Sequence, residues 1–272
     1  MDFVQLKSFN SVAAGQNATL KVDTNRVYHD IQITHLRNGV AATPAQMITD
    51  IELVRVLIDG KVQREIKPAE LFAMLAERDL PVLDGILHIP FAWPHARTAD
   101  GEDVMAWGTQ DVESFEIEVK LAGAAVSPSL SARALVEPSG INRPLGAIEK
   151  WQRFTVPVAA IGIAPWSPNI EPLEPYYEIM CFSANINSAT AKVDSKEVLG
   201  GSKAQLEALY KSRGLVPQTG VFSLAWDGRN RVSDALPMKY SNGTKVRDFL
   251  VEFDMAAATS FTAITRRVGF RN

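Results

Sequence analysis

The residues of this chain with the clearest capacity for metal chemistry are its four histidines. Neutral imidazoles that converge with a carboxylate from neighbouring strands hold transition metals. The four are His29, His35, His88 and His95. None forms a His-x-His pair followed by a nearby glutamate, and the second half of the chain has no histidine. A metalloenzyme built of two cupin domains is therefore the least favoured function, and the sequence predicts no metal ligand.

An acidic turn is the next candidate site. Asp100-Gly-Glu-Asp103 offers carboxylate oxygens, which are the ligands that Ca²⁺ prefers, but its spacing is not that of an EF-hand loop. A solvated turn is the favoured interpretation. A structural Ca²⁺ stays open without assigned ligands, and no other cofactor is expected. The sequence also lacks a Gly-x-Ser-x-Gly motif, a phosphate-binding glycine loop and a His-Glu-x-x-His motif, so we predict no catalytic residue and no enzyme.

Aromatic side chains near predicted strand ends suggest two alternatives. They could stack on sugars, or they could form the core of a sandwich or a subunit contact, which is the commoner arrangement. The first alternative keeps open a carbohydrate-binding β-sandwich protein as a second function. The residues are Trp93, Trp107, Trp166, Tyr176, Tyr177 and Trp226.

The basic C-terminal segment and the single cysteine complete the candidate residues. Arg266, Arg267 and Arg271 form a compact basic group, whose functional interpretation is a contact with acidic lipid head groups or with another subunit. The alternative is a solvated tail. Cys181 lies in the apolar run Ile179-Met-Cys-Phe182, so we expect a buried, unreactive thiol.

Composition indicates a globular chain with a large core. Of 272 residues, 46% are hydrophobic and 22% charged, and the formal net charge is −3. The negative charge argues against binding nucleic acid through bulk electrostatics, so no sequence-specific nucleic-acid partner is expected. No secretory signal and no apolar run of transmembrane length is recognisable, so no transmembrane helix is expected.

The elements that position these residues occur twice. The segment Leu71–Phe91 matches Leu206–Trp226 without gaps at a shift of 135 residues, with five identities, and the same shift pairs Asp59 with Asp194. At a shift of 134 residues, 115–121 matches 249–255. A period of half the chain length indicates two copies of one unit.

Each copy has the pattern of short strands. Apolar and polar residues alternate over 27–35 and 115–121, as in half-buried strands. Residues 51–58 are predicted to form a strand that ends at the hairpin signal Asp59-Gly60, with 61–66 as the returning strand. One helix is expected in each copy: Pro68 begins a helical run to Glu77, and Ser202 with Gln205 forms a capping box for the second. Proline-rich residues 138–175 are predicted to be a connector containing short strands such as 151–156.

These features predict an all-β fold of two tandem eight-stranded jelly rolls, each with one short inserted helix. Short strands separated by turns every 8–12 residues favour a sandwich, and about 135 residues with long loops favour a jelly roll over an immunoglobulin domain. The predicted domains are residues 1–137 and 138–272, and the connector belongs to the second.

The chain resembles the double jelly-roll major capsid proteins of tailless, membrane-containing icosahedral phages, especially those of the corticovirus type. The likeness is carried by the duplicated architecture and by five segments: 11–17 before the first strand, 128–132, the helix 206–213, 251–253 and 267–270. The resemblance implies a structural coat protein that forms pseudo-hexameric trimers. It also implies that these trimers tile an icosahedral virion shell over an internal membrane, beside minor capsid and penton proteins.

Overall fold

A computed structural model describes residues 1–93, 103–170, 173–226 and 232–271. Contacts divide the chain into two compact units. The first comprises Met1–Ala76, Leu80–Lys150 and the C-terminal end from Phe270, and the second comprises Glu77–Asp79 and Trp151–Gly269. Contacts thus place residues 138–150 with the first unit, whereas the sequence suggests a boundary after residue 137.

The first unit is a sandwich of two antiparallel sheets. One has the order β1-β10-β3-β4, with β7 and β8 also paired to β3, and the other has the order β6-β5-β9-β2. Apart from the two-residue strands β4 and β8, this is the eight-strand arrangement of a jelly roll. The strands are β1 (Asp2–Gln5), β2 (Asn17–Val22), β3 (Val27–Arg37), β4 (Val40–Ala41), β5 (Ile51–Ile58), β6 (Lys61–Ile66), β7 (Ile86–Pro90), β8 (Trp107–Gly108), β9 (Phe115–Leu121) and β10 (Pro128–Val136).

The second unit repeats this arrangement with sheet orders β16-β13-β18-β11 and β12-β17-β14-β15. A short 3-10 helix (Val232–Asp234) precedes β17. The strands are β11 (Ala147–Val156), which crosses the partition, β12 (Gly162–Trp166), β13 (Tyr176–Phe182), β14 (Ile186–Val193), β15 (Lys196–Ser202), β16 (Val221–Ala225), β17 (Phe249–Met255) and β18 (Phe261–Phe270). The predicted fold class, two jelly rolls, is confirmed.

Three helices are present among the described residues: α1 (Pro44–Asp50), α2 (Pro68–Glu77) and α3 (Lys203–Lys211). Both predicted helices are present, and each precedes the corresponding strand of its unit: α2 precedes β7, and α3 precedes β16. Ser202 caps α3 through the expected capping box with Gln205. The prediction of one helix in the first half was wrong, because α1 was missed. Its signal was the capping box of Thr43 with Gln46, with Pro44 at the first helical position.

The proline-rich segment 138–175 is more regular than a connector. It contains the ten-residue strand β11 and the strand β12, which ends the order of its sheet. Pro165 lies in β12, which is consistent with the rule that proline, lacking an amide hydrogen, is confined to edge strands and bulges. Proline in this segment therefore indicates a strand at the edge of a sheet, and it does not exclude strands.

Burial follows the predicted alternation. In β9, Phe115, Ile117, Val119 and Leu121 are buried while the residues between them are at least partly exposed. Tyr28, Phe91 and Trp107 pack around Phe115 with ring centroids 5.3–5.8 Å from it, and Phe91 and Trp107 are 4.5 Å apart. These aromatic rings form the centre of the first core.

One loop attachment occurs in both units. Asp59, in the β5–β6 turn, has a φ of 50° and accepts hydrogen bonds on Oδ1 from the backbone N–H groups of Glu113 (2.9 Å) and Ser114 (3.0 Å). Asp194, in the β14–β15 turn, has a φ of 46° and accepts equivalent bonds from Arg247 and Asp248, both at 2.9 Å. The pairing of these aspartates in the internal repeat therefore corresponds to a shared structure.

Asp59→Ala is expected to lower the free energy of unfolding by about 1–2 kcal/mol, because it removes the acceptor of two amides and places alanine at a positive φ. Asp59→Asn is the matched control. Asparagine tolerates a positive φ and keeps an oxygen acceptor, so we expect less than half that loss. Urea unfolding of both variants measures the difference, and equal losses would contradict this role.

Candidate functional site

A deeply buried group of charges lies in the second unit. The side chains of Glu178 and Glu77 are 0% and 1% exposed, and those of Arg78 and Arg266 are also buried. The Glu178 carboxylate accepts hydrogen bonds from both arginines on Oε2, at 3.0 Å from Arg78 Nη2 and at short range from Arg266 Nη1. Glu77 Oε1 accepts a hydrogen bond of 2.7 Å from the Ser223 hydroxyl. We call these five residues the carboxyl cluster.

The carboxyl cluster holds its two acids in different protonation states. Burial alone would raise the pKa of Glu178, but the guanidinium groups of Arg78 and Arg266 outweigh it and lower that pKa to about 2. Burial and the neighbouring negative charge of Glu178 raise the pKa of Glu77 well above its usual range, against smaller opposing effects of Arg78 and Ser223. The two pKa values are therefore displaced in opposite directions, so Glu178 ionises at lower pH than Glu77 does.

This cluster was not recognised from the sequence. Its signal was Glu178, the lone charge in the apolar run Tyr176–Cys181, since an ionised carboxylate in a buried strand requires a cationic partner. The positions of Arg78 and Arg266, 100 and 88 residues away, follow only from the folded structure. Enclosed on all sides, the group is suited to stability rather than to turnover.

The first unit also contains a buried arginine. Arg64, 1% exposed, donates from Nε to the backbone oxygen of Glu149 at 2.9 Å and from Nη1 to that of Pro90 at 2.6 Å. Its guanidinium also lies 5.0 Å from the ring centroid of Phe91 and 4.8 Å from that of Trp107. This arginine thus contacts the aromatic core through cation–π interactions and two backbone segments through hydrogen bonds.

The predicted metal candidates are distributed as histidine–carboxylate pairs. His29 contacts Asp103 through Nδ1 at 3.2 Å and Glu137 through Nε2 at 2.8 Å. His35 contacts Asp50 at 3.1 Å, and His88 contacts Asp30 at 2.9 Å. Over the described ranges, no group of three or more His, Cys, Asp or Glu side chains has the geometry to hold a metal ion. His95 lies outside the described residues.

The predicted acidic turn lies mostly outside the described residues, which begin again at Asp103. That side chain is about half exposed and pairs with His29. A Ca²⁺ ion at this turn stays a prediction.

The aromatic residues are largely core, so the sugar-binding interpretation was wrong for most of them. Trp93 is 2% exposed and donates from Nε1 to Glu149 Oε2 at 2.8 Å. Trp107, Tyr176 and Tyr177 are fully buried. Only Trp166 and Trp226 are partly exposed, and each packs against the core of the second unit. Most of the predicted rings therefore cannot face a sugar.

The C-terminal arginines do not form one exposed patch. Arg266 is 3% exposed in the carboxyl cluster, and Arg267 is 6% exposed, with Nη2 2.5 Å from Gln152 Oε1 and Nε 3.7 Å from Glu174. Both side chains are therefore held inside this chain. Arg271 is about one-third exposed and pairs with Asp59 at 3.1 Å. The contact with lipid or another subunit stays a prediction, and Arg271 is the most accessible of the three arginines for it.

The predicted buried thiol is present. Cys181 is fully buried in β13, and burial raises the pKa of its thiol far above the usual range. The thiolate needed for nucleophilic chemistry is therefore suppressed.

Comparison with known proteins accounts for both units. The family "Viral coat protein P2 N-terminal domain" matches residues 3–137, and "Viral coat protein P2 C-terminal domain" matches residues 148–269. The chain belongs to the P2 viral coat protein family. This family is structural, so the predictions of a coat protein and of no enzymatic activity are confirmed by its membership.

Relatives of this P2 coat protein extend the comparison. The major capsid protein P2 of Pseudoalteromonas phage PM2 is 28% identical over 138 residues, and this match spans about half of each chain, 48% in both cases. The crystal structure of the bacteriophage PM2 protein superposes with a TM-score of 0.88 at 17% identity, covering 100% of this chain and 98% of that one.

More distant capsid structures share the fold at lower identity. The STIV MCP has a TM-score of 0.66 at 12% identity, covering 98% of this chain and 95% of that one. The PBCV-1 virus capsid protein has a TM-score of 0.65 at 10% identity, covering 100% and 96%. At these identities the likeness establishes the double jelly-roll fold. Among the described residues, no helix is long and apolar enough to span a membrane.

Proposed function

We propose that this chain assembles into trimers that tile an icosahedral virion shell over an internal membrane. The observation that carries the proposal is the match of both units to one coat-protein family together with the repeated jelly roll. Two similar sandwiches in each chain make six in a trimer. Six similar units arranged around an axis approximate a hexagon, which is a shape that fills a surface without gaps.

Strand β12 supplies a candidate contact between copies. Ile161, just before the strand, and Ile163, within it, are 71% and 68% exposed. Among the described strands, β12 pairs with β17 alone and ends its sheet. An apolar edge strand left open to water is a site of association, and natural proteins normally blunt such edges. In a coat protein, a second copy of the chain is the partner that would cover it.

The partner surface must be larger than this edge. Obligate interfaces usually bury about 2,000 Å² or more and are apolar at their centre. We therefore assign β12 one contact region within a broader interface. Contacts with minor capsid and penton proteins, assembly in the host cytoplasm, contact with lipid and a structural Ca²⁺ ion belong to the same proposal and rest on the resemblance to coat proteins.

Ile163→Asp is expected to shift the purified protein from trimer towards monomer, because a desolvated carboxylate opposes burial of this edge. Light scattering coupled to gel filtration at micromolar concentration measures the shift. Val40→Asp is the matched control: this side chain is 69% exposed in β4 of the other unit, and the variant should remain trimeric.

Two outcomes would count against the proposal. A wild-type protein that is a monodisperse monomer would overturn trimeric assembly. A trimer that persists in Ile163→Asp would leave assembly intact and remove β12 from the interface.

A further inference from the structure

The carboxyl cluster contains two acids that lie against each other, each with one buried oxygen that has no donor among the described residues. Glu77 and Glu178 are in direct side-chain hydrogen-bond contact. Glu77 Oε2 and Glu178 Oε1 are buried and receive no hydrogen bond from another donor of the described residues. Two carboxylates in this position would repel, and both oxygens would lack a donor. One proton between them satisfies both atoms.

The remaining bonds decide which acid carries the proton. Glu178 accepts from two guanidinium groups, those of Arg78 and Arg266, and these stabilise its ionised form. Glu77 accepts on its other oxygen only from the neutral Ser223 hydroxyl. The proton therefore resides on Glu77, whose O–H donates to the Glu178 carboxylate.

The groups that face Glu77 come from several elements. From α3, Lys203, Glu207 and Tyr210 line a small cavity over it, together with Ser223 of β16. Lys203 lies 4.0 Å from Glu207, so these two charges face each other, and the Tyr210 hydroxyl is engaged with β16, donating to Ser223 O and accepting from Ala225 N. The Arg78 guanidinium also acts on Glu77, but it donates its hydrogen bond to Glu178, and Arg266 adds a second donor to Glu178. The positive charges of the cluster therefore stabilise the ionised form of Glu178 more than that of Glu77.

We propose that Glu77 is a proton-dependent lock of the second jelly roll, which holds the carboxyl cluster together when protonated and loosens this unit when it loses the proton as the pH rises. The lock acts on the fold of one unit. It is therefore independent of whether the chain forms trimers.

The direction of the effect follows from proton linkage. The pKa of Glu77 is higher in the folded than in the unfolded chain, so its contribution is complete below the unfolded pKa, near 4.5, and is lost as pH rises through the folded value. Within that range the unfolded chain releases a proton that the folded chain keeps. The equilibrium constant for unfolding then rises by up to about tenfold per pH unit.

Glu77→Gln tests this lock. Glutamine keeps an oxygen to accept from Ser223 and supplies an N–H to Glu178 at every pH, so it mimics the protonated acid. In urea unfolding of the full chain from pH 5 to pH 9, the ratio of the wild-type to the variant unfolding constant is expected to increase with pH. Glu207→Gln, which changes a partly exposed carboxyl lining the same cavity, should keep the wild-type pH dependence.

A ratio that does not change with pH would overturn the proposal. Infrared spectroscopy of the wild-type protein provides a measurement that needs no variant. In a pH series, the folded protein should keep the carbonyl band of one protonated carboxyl at pH values where exposed carboxyls have ionised, and this band should disappear on unfolding. Absence of this band would also overturn the proposal.

Discussion

Glu178→Gln is expected to lower the free energy of unfolding of the second unit by about 3–5 kcal/mol, because it removes one charge from a buried ion group and leaves the rest in place. Glutamine has nearly the same shape, so packing is preserved. Arg78 and Arg266, 5% and 3% exposed, would lose the carboxylate that they share. Removing one partner of a buried ion pair destabilises the fold by much more than the intact pair stabilises it, because the remaining charge stays desolvated.

Glu252→Gln is the control for this substitution. Its carboxylate pairs with Lys192 at 2.5 Å, but both side chains are about 30% exposed, so we expect a loss below about 1 kcal/mol. Chemical denaturation of both variants at neutral pH measures the two values. Equal small losses would mean that the buried arginines are compensated by solvent or by other acceptors, and would contradict the importance of Glu178.

Trp107→Ala is expected to lower the free energy of unfolding of the first unit by about 3–5 kcal/mol, the usual range for removing a buried large aromatic side chain. Trp107 is 0% exposed and packs against Phe91 and Phe115. The substitution leaves a cavity in the aromatic centre. It also exposes one face of the buried Arg64 guanidinium, which lies 4.8 Å from the tryptophan ring.

Phe270→Ala is the control for loss of an aromatic side chain. Phe270 is 73% exposed, so its truncation should cost less than about 0.5 kcal/mol. Thermal unfolding followed by circular dichroism compares the two. A Trp107→Ala protein as stable as the control would mean that the first core collapses to fill the space.

Strand periodicity carried most of the fold prediction. β5, β6, β9 and β17 have the predicted bounds. In β9 and β17, buried and more exposed residues alternate over the whole strand, so the period of two was clear in the sequence. β5 and β6 were instead bounded by the Asp59-Gly60 turn signal between them. Helix α2 was equally clear from the proline at its start. Helix α1 was missed because seven residues are too few for a helical apolar period to emerge.

The charged clusters could not be predicted to the same extent. Arg266 and Arg267 are adjacent basic residues near the end of the sequence, which is also the pattern of a solvated tail. Their burial depends on Glu178 and Glu174, which come from a segment about 90 residues earlier and become partners only when β18 lies beside β13. Strand order in a jelly roll is set by long-range pairing, and local sequence carries no signal for it.

The reactivity of the single cysteine can report the opening of the second jelly roll. Cys181 is the only thiol in the chain, and it lies fully buried in β13, three residues from Glu178. A thiol reagent can modify it only in molecules whose second roll has opened, so the labelling rate under native conditions follows that opening event without contribution from the first roll. The labelling rate of the wild-type protein therefore measures the opening of the second roll separately from the unfolding of the whole chain.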